Sequence, residues 1–440
     1  MKNPMTFALA EASRATAWTL LGLSLTAASE AAEPTPAREV ITPTDAAAAQ
    51  ALNLSAQRGS LRFLGLDLFP RFGSSVRYDN NILIAPANGL GDVIWSLSPA
   101  LAVTAGDLGL YLPASASLSQ LRAMLAYGLI DDENQPQRFI GVEYQPDFNL
   151  YTEHSEFNYV NQTALFSAGY RLSRLSLALD QDYRHATTKS TSAGSLSTTD
   201  DFETRLHGRY QLTDKTFFEA NGRYENLSYT EANLSGYQEV RGEGWFNRLV
   251  TANLTLGAGG VLGYLTPQRY LAQPYEQLLL RGTFRASEKL AAQASTGLEW
   301  RQFEGNQPNA LNPVFSVSGI YRPTFNTVFT LEVHRRELPS PTSAQNYTQA
   351  GVNAGLRQML FNRLAVGVSG GFDNLAYHAG TTARGPQRND NLISAGLDIS
   401  REFHRRWTAS LFYTYTKDDS NVPTSDYGNS IVGLRIEWRY

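Results

Sequence analysis

The 440-residue sequence contains no cysteine, which excludes a disulfide framework, a thiolate metal site and a thiol nucleophile. Lysine is almost as scarce. Of 37 basic residues only five are lysine, at Lys2, Lys189, Lys215, Lys289 and Lys417, and the rest are arginine. A net charge of −4 without a basic stripe gives nucleic acid no electrostatic footprint, so no nucleic-acid partner is expected. Beyond the N-terminal region no uninterrupted apolar run is long enough for a membrane-spanning helix. His154, His185, His207, His334, His378 and His404 are scattered, and none has the spacing of a metal-binding motif such as H-E-x-x-H. No metal and no cofactor is therefore expected.

What the chain has in quantity is aromatic residues and glycine: 22 Tyr, 21 Phe and 35 Gly. The N-terminus reads as a secretory signal. Lys2 and Arg14 precede an apolar stretch over 15–28, and small residues follow at Ala27, Ala28, Ser29, Ala31 and Ala32. That order places a leader at 1–32, with cleavage near 28–32. Residues 33–66, with Pro34, Pro36 and Pro43, read as a periplasmic linker.

From about residue 67 to 440 the pattern has period two, the signature of strands with one face in each of two environments. Over 140–150 one face is Ile140, Val142, Tyr144, Pro146, Phe148 and Leu150, and the other Gly141, Glu143, Gln145, Asp147 and Asn149. Over 290–301 the split is Leu290, Ala292, Ala294, Leu298 and Trp300 against Gln293, Ser295, Glu299 and Arg301. Short connectors follow every second strand, at 172–173, 213–215, 246–248, 286–289, 324–326, 361–363 and 403–405. Aromatics flank several of them: Tyr170, Tyr210, Phe284, Tyr321 and Trp407. Longer polar links lie between, at 188–200, 230–236, 266–274, 304–310, 339–345, 379–388 and 419–427. This predicts an all-β fold: a single transmembrane antiparallel up-and-down barrel of about 18 strands (range 16–20) in the bacterial outer membrane. The count turns on 105–135, where Leu118, Leu121, Met124, Leu125 and Leu129 have a helical spacing.

The physics requires closure. In hydrocarbon every backbone N–H and C=O must be paired internally, so strands span only as a sheet without edges. The faces assigned outward carry almost no charge in mid-strand; Arg335 and Arg401 fall near strand ends, and no lysine lies mid-strand. The opposite faces are rich in charge. Candidate lumen-lining residues are Arg174, Asp180, Asp182, Arg184, Glu203, Arg205, Arg209, Glu219 and Arg223 in the first half. Arg281, Glu299, Arg301, Glu332, Arg336, Arg357, Arg435 and Glu437 continue the set. Their alternating signs predict wall-stiffening ion pairs, which the planar fork of arginine suits, and hence weak ion selectivity. A solute-selecting arginine ladder is the sharper alternative.

The last strand carries a candidate assembly signal. Val432, Leu434, Ile436, Trp438 and Tyr440 share one face, and Gly433, Ile436, Trp438 and the terminal aromatic Tyr440 have the spacing read by the barrel assembly machinery. The glycine-rich pieces 257–263 and 367–371 lie within strands with no helix after them, so they relieve crowding or permit curvature rather than bind phosphate. Glu153, His154, Ser155 and Glu156 read as a polar surface loop. A rim-located hydrolase using Ser155 with His185 has no support from spacing, so no catalytic residue and no enzyme activity is expected.

Tyr78, Asp79, Asn80, Asn81 and Ile82, then Leu97, Ser98, Pro99, Ala100 and Leu101, resemble the opening of the β-barrel porin type 2 family. The stretch 144–183 is similar as well, with Glu153, His154, Ser155, Glu156, Asn161, Gln162, Tyr170, Arg171, Leu172, Ser173 and Arg174. The resemblance covers about 68 to the end in short, degenerate motifs, and 105–135 departs from it. It implies an outer-membrane barrel, often linked to exopolysaccharide export loci. The expected function is thus a porin-like passive channel for small polar solutes or saccharides. The alternative is an export-associated barrel that binds partners. Expected partners are outer-membrane lipid, the barrel assembly machinery and, by the resemblance, polysaccharide or exopolysaccharide export proteins.

Overall fold

The computed structural model describes residues 61–106, 118, 137–190, 195–269, 271–287, 289–303, 309–342, 346–361, 363–378, 387–404 and 406–440. The expected leader at 1–32 and most of the linker lie outside them. A three-residue strand β1 (Leu61–Phe63) pairs with the start of β2 (Leu66–Asp79) through a two-residue turn, Leu64 and Gly65, both at positive φ. Then follow β3 (Asp92–Gly106), β4 (Arg138–Tyr151), β5 (Tyr159–Arg171), β6 (Leu175–Ser190), β7 (Ser195–Thr213), β8 (Thr216–Tyr229), β9 (Tyr237–Thr251) and β10 (Leu254–Pro267). The second half comprises β11 (Gln273–Ser287), β12 (Leu290–Arg301), β13 (Ala310–Thr324), β14 (Thr327–Pro339), β15 (Asn346–Leu360), β16 (Leu364–Tyr377), β17 (Asn389–His404), β18 (Trp407–Ser420) and β19 (Tyr427–Arg439).

Every strand from β2 onward pairs antiparallel with its sequence neighbours, and β19 pairs back onto β2, from Ile431↔Asp79 to Arg439↔Arg71. Of the 19 strands in the sheet, β1 pairs with β2 and the remaining 18, β2 to β19, close the wall. The structure is therefore a closed antiparallel barrel of 18 strands, the number read from the periodicity.

Alternation sets which side chain meets which medium. On β4, Ile140, Val142, Tyr144, Phe148 and Leu150 are all at least 40% exposed, while Glu143 and Asn149 between them are buried. Exposed apolar residues at every second position recur around the wall, among them Trp95, Leu206, Val240, Leu262, Leu278, Leu298 and Leu434. A water-soluble sheet has no reason to bury its charges and expose its leucines on strand after strand; a sheet surrounded by lipid must. The aromatics Tyr170, Tyr210, Phe284, Tyr321 and Trp407 are exposed at the short-turn rim, and Tyr78, Trp95, Tyr264 and Trp300 at the other. They form the two interfacial girdles of an outer-membrane barrel. Arg335, on the outward face of β14, lies toward its loop end and donates to Pro313 O.

Two irregularities have local causes. The pairing of β3 with β4 lapses between Leu97↔Phe148 and Leu101↔Tyr144 without changing register; Pro99 and Pro146 lie in that gap and have no N–H to donate. Register shifts occur at Gln211/Thr213, Leu254/Thr255, Arg285/Ser287, Tyr321/Thr324 and Glu402/His404. All five are at the short-turn rim, where a bulge lets a strand bend into a tight turn.

The link at 188–200, expected to be irregular, is mostly strand. β6 and β7 stay paired as far as Ser190↔Ser195. The β-branched run there, with Thr187 opposite Thr198 and Thr188 opposite Ser197, favours extended ribbon over coil.

Candidate functional site: the charged wall of the lumen

Charged side chains on the inward face have lost much of their water, so each needs a partner. The wall supplies partners laterally. Asp182 on β6 accepts from Arg205 on β7 at 2.8 Å and from Arg184 at 3.4 Å. Glu203 lies 3.8 Å from Arg205 and accepts from Arg223 Nε at 2.7 Å. Arg223, only 6% exposed, also donates to Glu239 at 2.9 Å and to Glu225. One guanidinium thus joins carboxylates from three strands, β7, β8 and β9, a use of its fork that lysine cannot match.

The ladder continues around the barrel. Arg281 on β11 donates to Glu219 on β8 and to Asn247 Oδ1 at 2.8 Å, with its guanidinium 4.3 Å from the ring centre of Trp245. Arg301 pairs with Glu299 at 2.7 Å, donates to Gln273 at 3.1 Å and lies 4.6 Å from the Tyr275 ring. His334 Nε2 is 2.9 Å from Asp373 Oδ1 and its Nδ1 is 3.6 Å from Glu332. Arg357 lies 3.8 Å from Asp398 and donates to Ser400 at 3.2 Å. Arg209 covers the Phe217 ring at 4.0 Å and Arg435 the Phe412 ring at 5.2 Å. Asp180 accepts from the Ser167 hydroxyl, and Glu437 shares the inward face of β19 with Arg435. Arg336 donates twice to Gln349, at 2.9 and 3.1 Å; among the described residues no carboxylate is within ion-pair distance of it.

Arg174 is placed elsewhere. It lies in the turn between β5 and β6, exposed at the short-turn rim, because the strand starts one residue later than the alternation suggests. Arg184 shares the inward parity of β6 but is itself exposed.

The inward face is not uniformly polar. Trp245, Val261, Tyr275, Leu279 and Val314 form an apolar cluster on β9 to β13. A signal for it exists in the sequence: Val261 with Leu262, and Leu278 to Leu280, break the alternation with consecutive apolar residues. The glycines of 257–263 have the packing role expected of them. A Cβ at Gly259 would lie 2.4 Å from Trp245 Cδ2, and one at Gly263 would lie 2.0 Å from Tyr275 Cζ. Gly259→Val should therefore lower barrel stability by about 1–3 kcal/mol, the usual range for overpacking. Urea unfolding followed by tryptophan fluorescence would report this loss.

Beside the cluster is a lumenal cavity of about 330 Å³, bounded by β8 to β14. Arg241, Glu243, Arg281, Glu299 and Arg301 give one part of its lining, the neutral Gln277, Gln293, Ser295, Ser316 and Ser318 another, and Trp245 and Leu279 an apolar part. Six arginines line it, Arg223, Arg241, Arg281, Arg301 and Arg336 from inward positions and Arg335 at its edge, against the five glutamates Glu239, Glu243, Glu299, Glu332 and Glu337. Such a lining offers many donors and acceptors with nearly balanced charge.

Leu118, described within the 105–135 region, is fully buried, and its N–H donates at 2.6 Å to Glu143 Oε2. Glu143 is on the inward face of β4 and also takes Arg71 of β2, so Leu118 sits inside the wall. The motif residues Tyr78 to Ile82 close the loop end of β2: Asp79 accepts from Asn81 N at 3.0 Å and from Asn429 Nδ2 at 2.7 Å. Glu153, His154, Ser155 and Glu156 form the β4–β5 link, anchored by Asp92, which accepts the N–H of His154 at 2.9 Å. His154 Nδ1 is 3.1 Å from Asp92 and His185 Nδ1 is 2.9 Å from Asp200. Among the described residues no hydrogen bond joins the Ser155 hydroxyl to either ring, each of which has a carboxylate at Nδ1.

The sequence matches no protein-family model and no curated protein. Several solved structures are similar in shape. OccAB4 of Acinetobacter baumannii has 10% identity and a TM-score of 0.43 over 87% of this chain and 100% of that one. OccK2 (OpdF) of Pseudomonas aeruginosa has 9% identity and a TM-score of 0.45 over 84% and 98%. The outer membrane protein OpdK of the same organism has 11% identity and a TM-score of 0.41 over 85% and 98%. These values are too low for any residue or solute to be carried across.

Proposed function

We propose that the protein is a passive, porin-like conduit for small polar solutes, neutral saccharides among them, across the outer membrane. The observation that carries this reading is the contrast between the two sides of the wall. Outside, an apolar belt faces lipid. Inside, paired charges and neutral hydrogen-bonding side chains line a polar cavity. An 18-stranded wall is wide enough to hold water wherever its interior is not filled by the chain itself. Reconstituted protein is expected to give steady, ohmic conductance steps in a planar bilayer and to admit mono- and disaccharides into vesicles. A barrel that is correctly folded and electrically silent would count against the proposal.

Nearly balanced lining charges lead to weak ion selectivity, with a reversal potential near zero in a salt gradient. Arg336, with an amide for its partner, is the lining cation least offset by a carboxylate. Arg336→Glu should move the reversal potential toward cation preference, while Arg336→Lys should leave it in place. An unmoved potential in Arg336→Glu would place Arg336 away from the ion path.

Assembly belongs to the same reading. Gly433, Ile436, Trp438 and Tyr440 are the residues we assign to recognition by the barrel assembly machinery. Gly433 has a second duty, since a Cβ there would lie 2.5 Å from Phe412 Cζ. Deleting Tyr440 or changing Trp438→Ala should cut the assembled, heat-modifiable fraction several-fold in cells, yet leave detergent refolding of the purified chain nearly intact. Gly433→Leu should impair both. Equal losses in the two settings for Trp438→Ala would make that residue structural rather than a recognition element.

A further inference from the structure

The longest hairpin of the wall does not end at the rim. β5 pairs with β6 only as far as Gln162↔His185, whereas β6 and β7 remain paired to Ser190↔Ser195. Residues 186–190 and 195–199 thus run on as a two-stranded ribbon beyond β5. A ribbon standing in water would expose both faces. Here Thr187, Ser190, Ser197 and Thr199 are all buried, Ser197 completely.

The ribbon is held from two sides. Lys189 Nζ donates to Asp79 and, at 3.0 Å, to Asn81 O. Asp79 is on the inward face of β2, since its neighbour Tyr78 is exposed on the lipid side. Three strands separate β6 from β2, so the two wall positions lie about 19 Å apart at about 4.8 Å per strand. That is far beyond the reach of one lysine, so the ribbon must lean inward, past the tops of β3 to β5, to meet Asp79 from the lumen side. On the other side Thr198 N donates to Glu231 Oε1 at 2.9 Å. The same β8–β9 loop reaches the β14–β15 loop, where Ser235 N donates to Pro341 O at 2.8 Å. β8 and β14 are six strands apart, about 29 Å along the wall by the same spacing, so these loops also cross the mouth.

Lysine is otherwise kept out of the lumen: Lys215 and Lys289 sit at short turns, and Lys417 shares the outward face of β18 with the exposed Tyr413. The one lysine described inside the barrel is the one that fastens the ribbon.

We propose that the β6–β7 ribbon is a hinged cover over the loop-side mouth, held down by the Lys189–Asp79 ion pair, and that releasing this pair opens the conduit. The hinge lies near His185, where β6 loses β5. The Glu231 contact is on the hinge side of the ribbon and stays in place when the far end lifts. The opening step rests on the conduit reading above; the cover itself does not.

The absence of native cysteine gives a direct test. Ser190→Cys, at the far end of the ribbon and buried in the closed state, in an otherwise native chain should be inert to a membrane-impermeant maleimide on intact cells. Adding Lys189→Gln or Asp79→Asn should raise the labelling rate at least ten-fold, and Lys189→Arg should not. In bilayers Lys189→Gln should conduct several-fold more than the native protein. The exchange Lys189→Asp with Asp79→Lys restores the pair in reverse and should restore protection and conductance together, which separates a lost tie from a lost fold. Equal labelling with and without Lys189→Gln overturns the cover, as does an exchange variant that stays exposed. Faster labelling in a barrel that remains silent supports the cover and overturns the conduit reading instead. Faster labelling with conductance equal to the native value overturns the opening step.

Discussion

Replacing Arg223 with alanine is expected to destabilise the barrel by about 3–5 kcal/mol, the scale for removing one partner of a buried ion pair. The reason is what stays behind. Glu203, Glu225 and Glu239 converge on this guanidinium from three strands, and its side chain is 6% exposed. Without it three carboxylates share one poorly hydrated site. The cost comes from stranded like charges rather than from lost attraction, so it should vanish when they are neutralised. A variant with Arg223→Met and all three glutamates changed to glutamine should return to within about 1–2 kcal/mol of the native stability, because replacing a whole buried ionic cluster is often close to neutral. Urea unfolding in lipid vesicles measures both. Equal instability in the two variants would mean that shape, not charge, holds this part of the wall.

Leu278→Arg is expected to cost about 2–4 kcal/mol, the penalty for a cation on the lipid face near the midplane. Leu278 is 74% exposed and lies in the middle third of β11. Gln238→Arg, outward on β9 but next to the loop rim, should cost about zero to one kcal/mol, since there the side chain reaches the headgroups. The pair of variants tests the membrane placement itself. If Arg were tolerated equally at both positions, the outer face would be meeting water.

Much of the fold was legible because a barrel wall repeats one simple rule. Each strand announces its two faces, and the short connectors mark the rim at which bulges were later found. The strand count followed to within two, with 105–135 the open point, and the closing pair of β19 with β2 followed from the need to leave no edge in hydrocarbon. The pairing of charges across strands was legible for the same reason: Asp182, Glu203, Arg205 and Arg223 fall on alternating positions of adjacent strands, and the structure joins them.

What the pattern concealed lies where period two fails or where long-range geometry decides. The Trp245–Tyr275 cluster faces inward because Gly259 and Gly263 on β10 leave room, a fact about register between strands that no single strand carries. Arg174 was misplaced by a one-residue difference in where β6 begins. The ribbon at 186–190 and 195–199 looked like a polar loop because serine and threonine are common to turns and to two-sided strands alike. Its contact with Asp79 joins residues 110 positions apart, beyond the reach of any local pattern. Lysine scarcity was visible, but its meaning was not: it is informative only once three strands of wall are seen to separate Lys189 from its partner.

The seam between β2 and β19 has a consequence for how the molecule comes into being. Its pairs join residues near 71 to residues near 439, so the cylinder cannot shut until β19 exists and has found β2. Every shorter stretch of chain is an unfinished sheet with two hydrogen-bonding margins open to any other strand it meets. Closing so distant a pair is also slow. The interval between synthesis and closure is therefore the dangerous part of this protein's life.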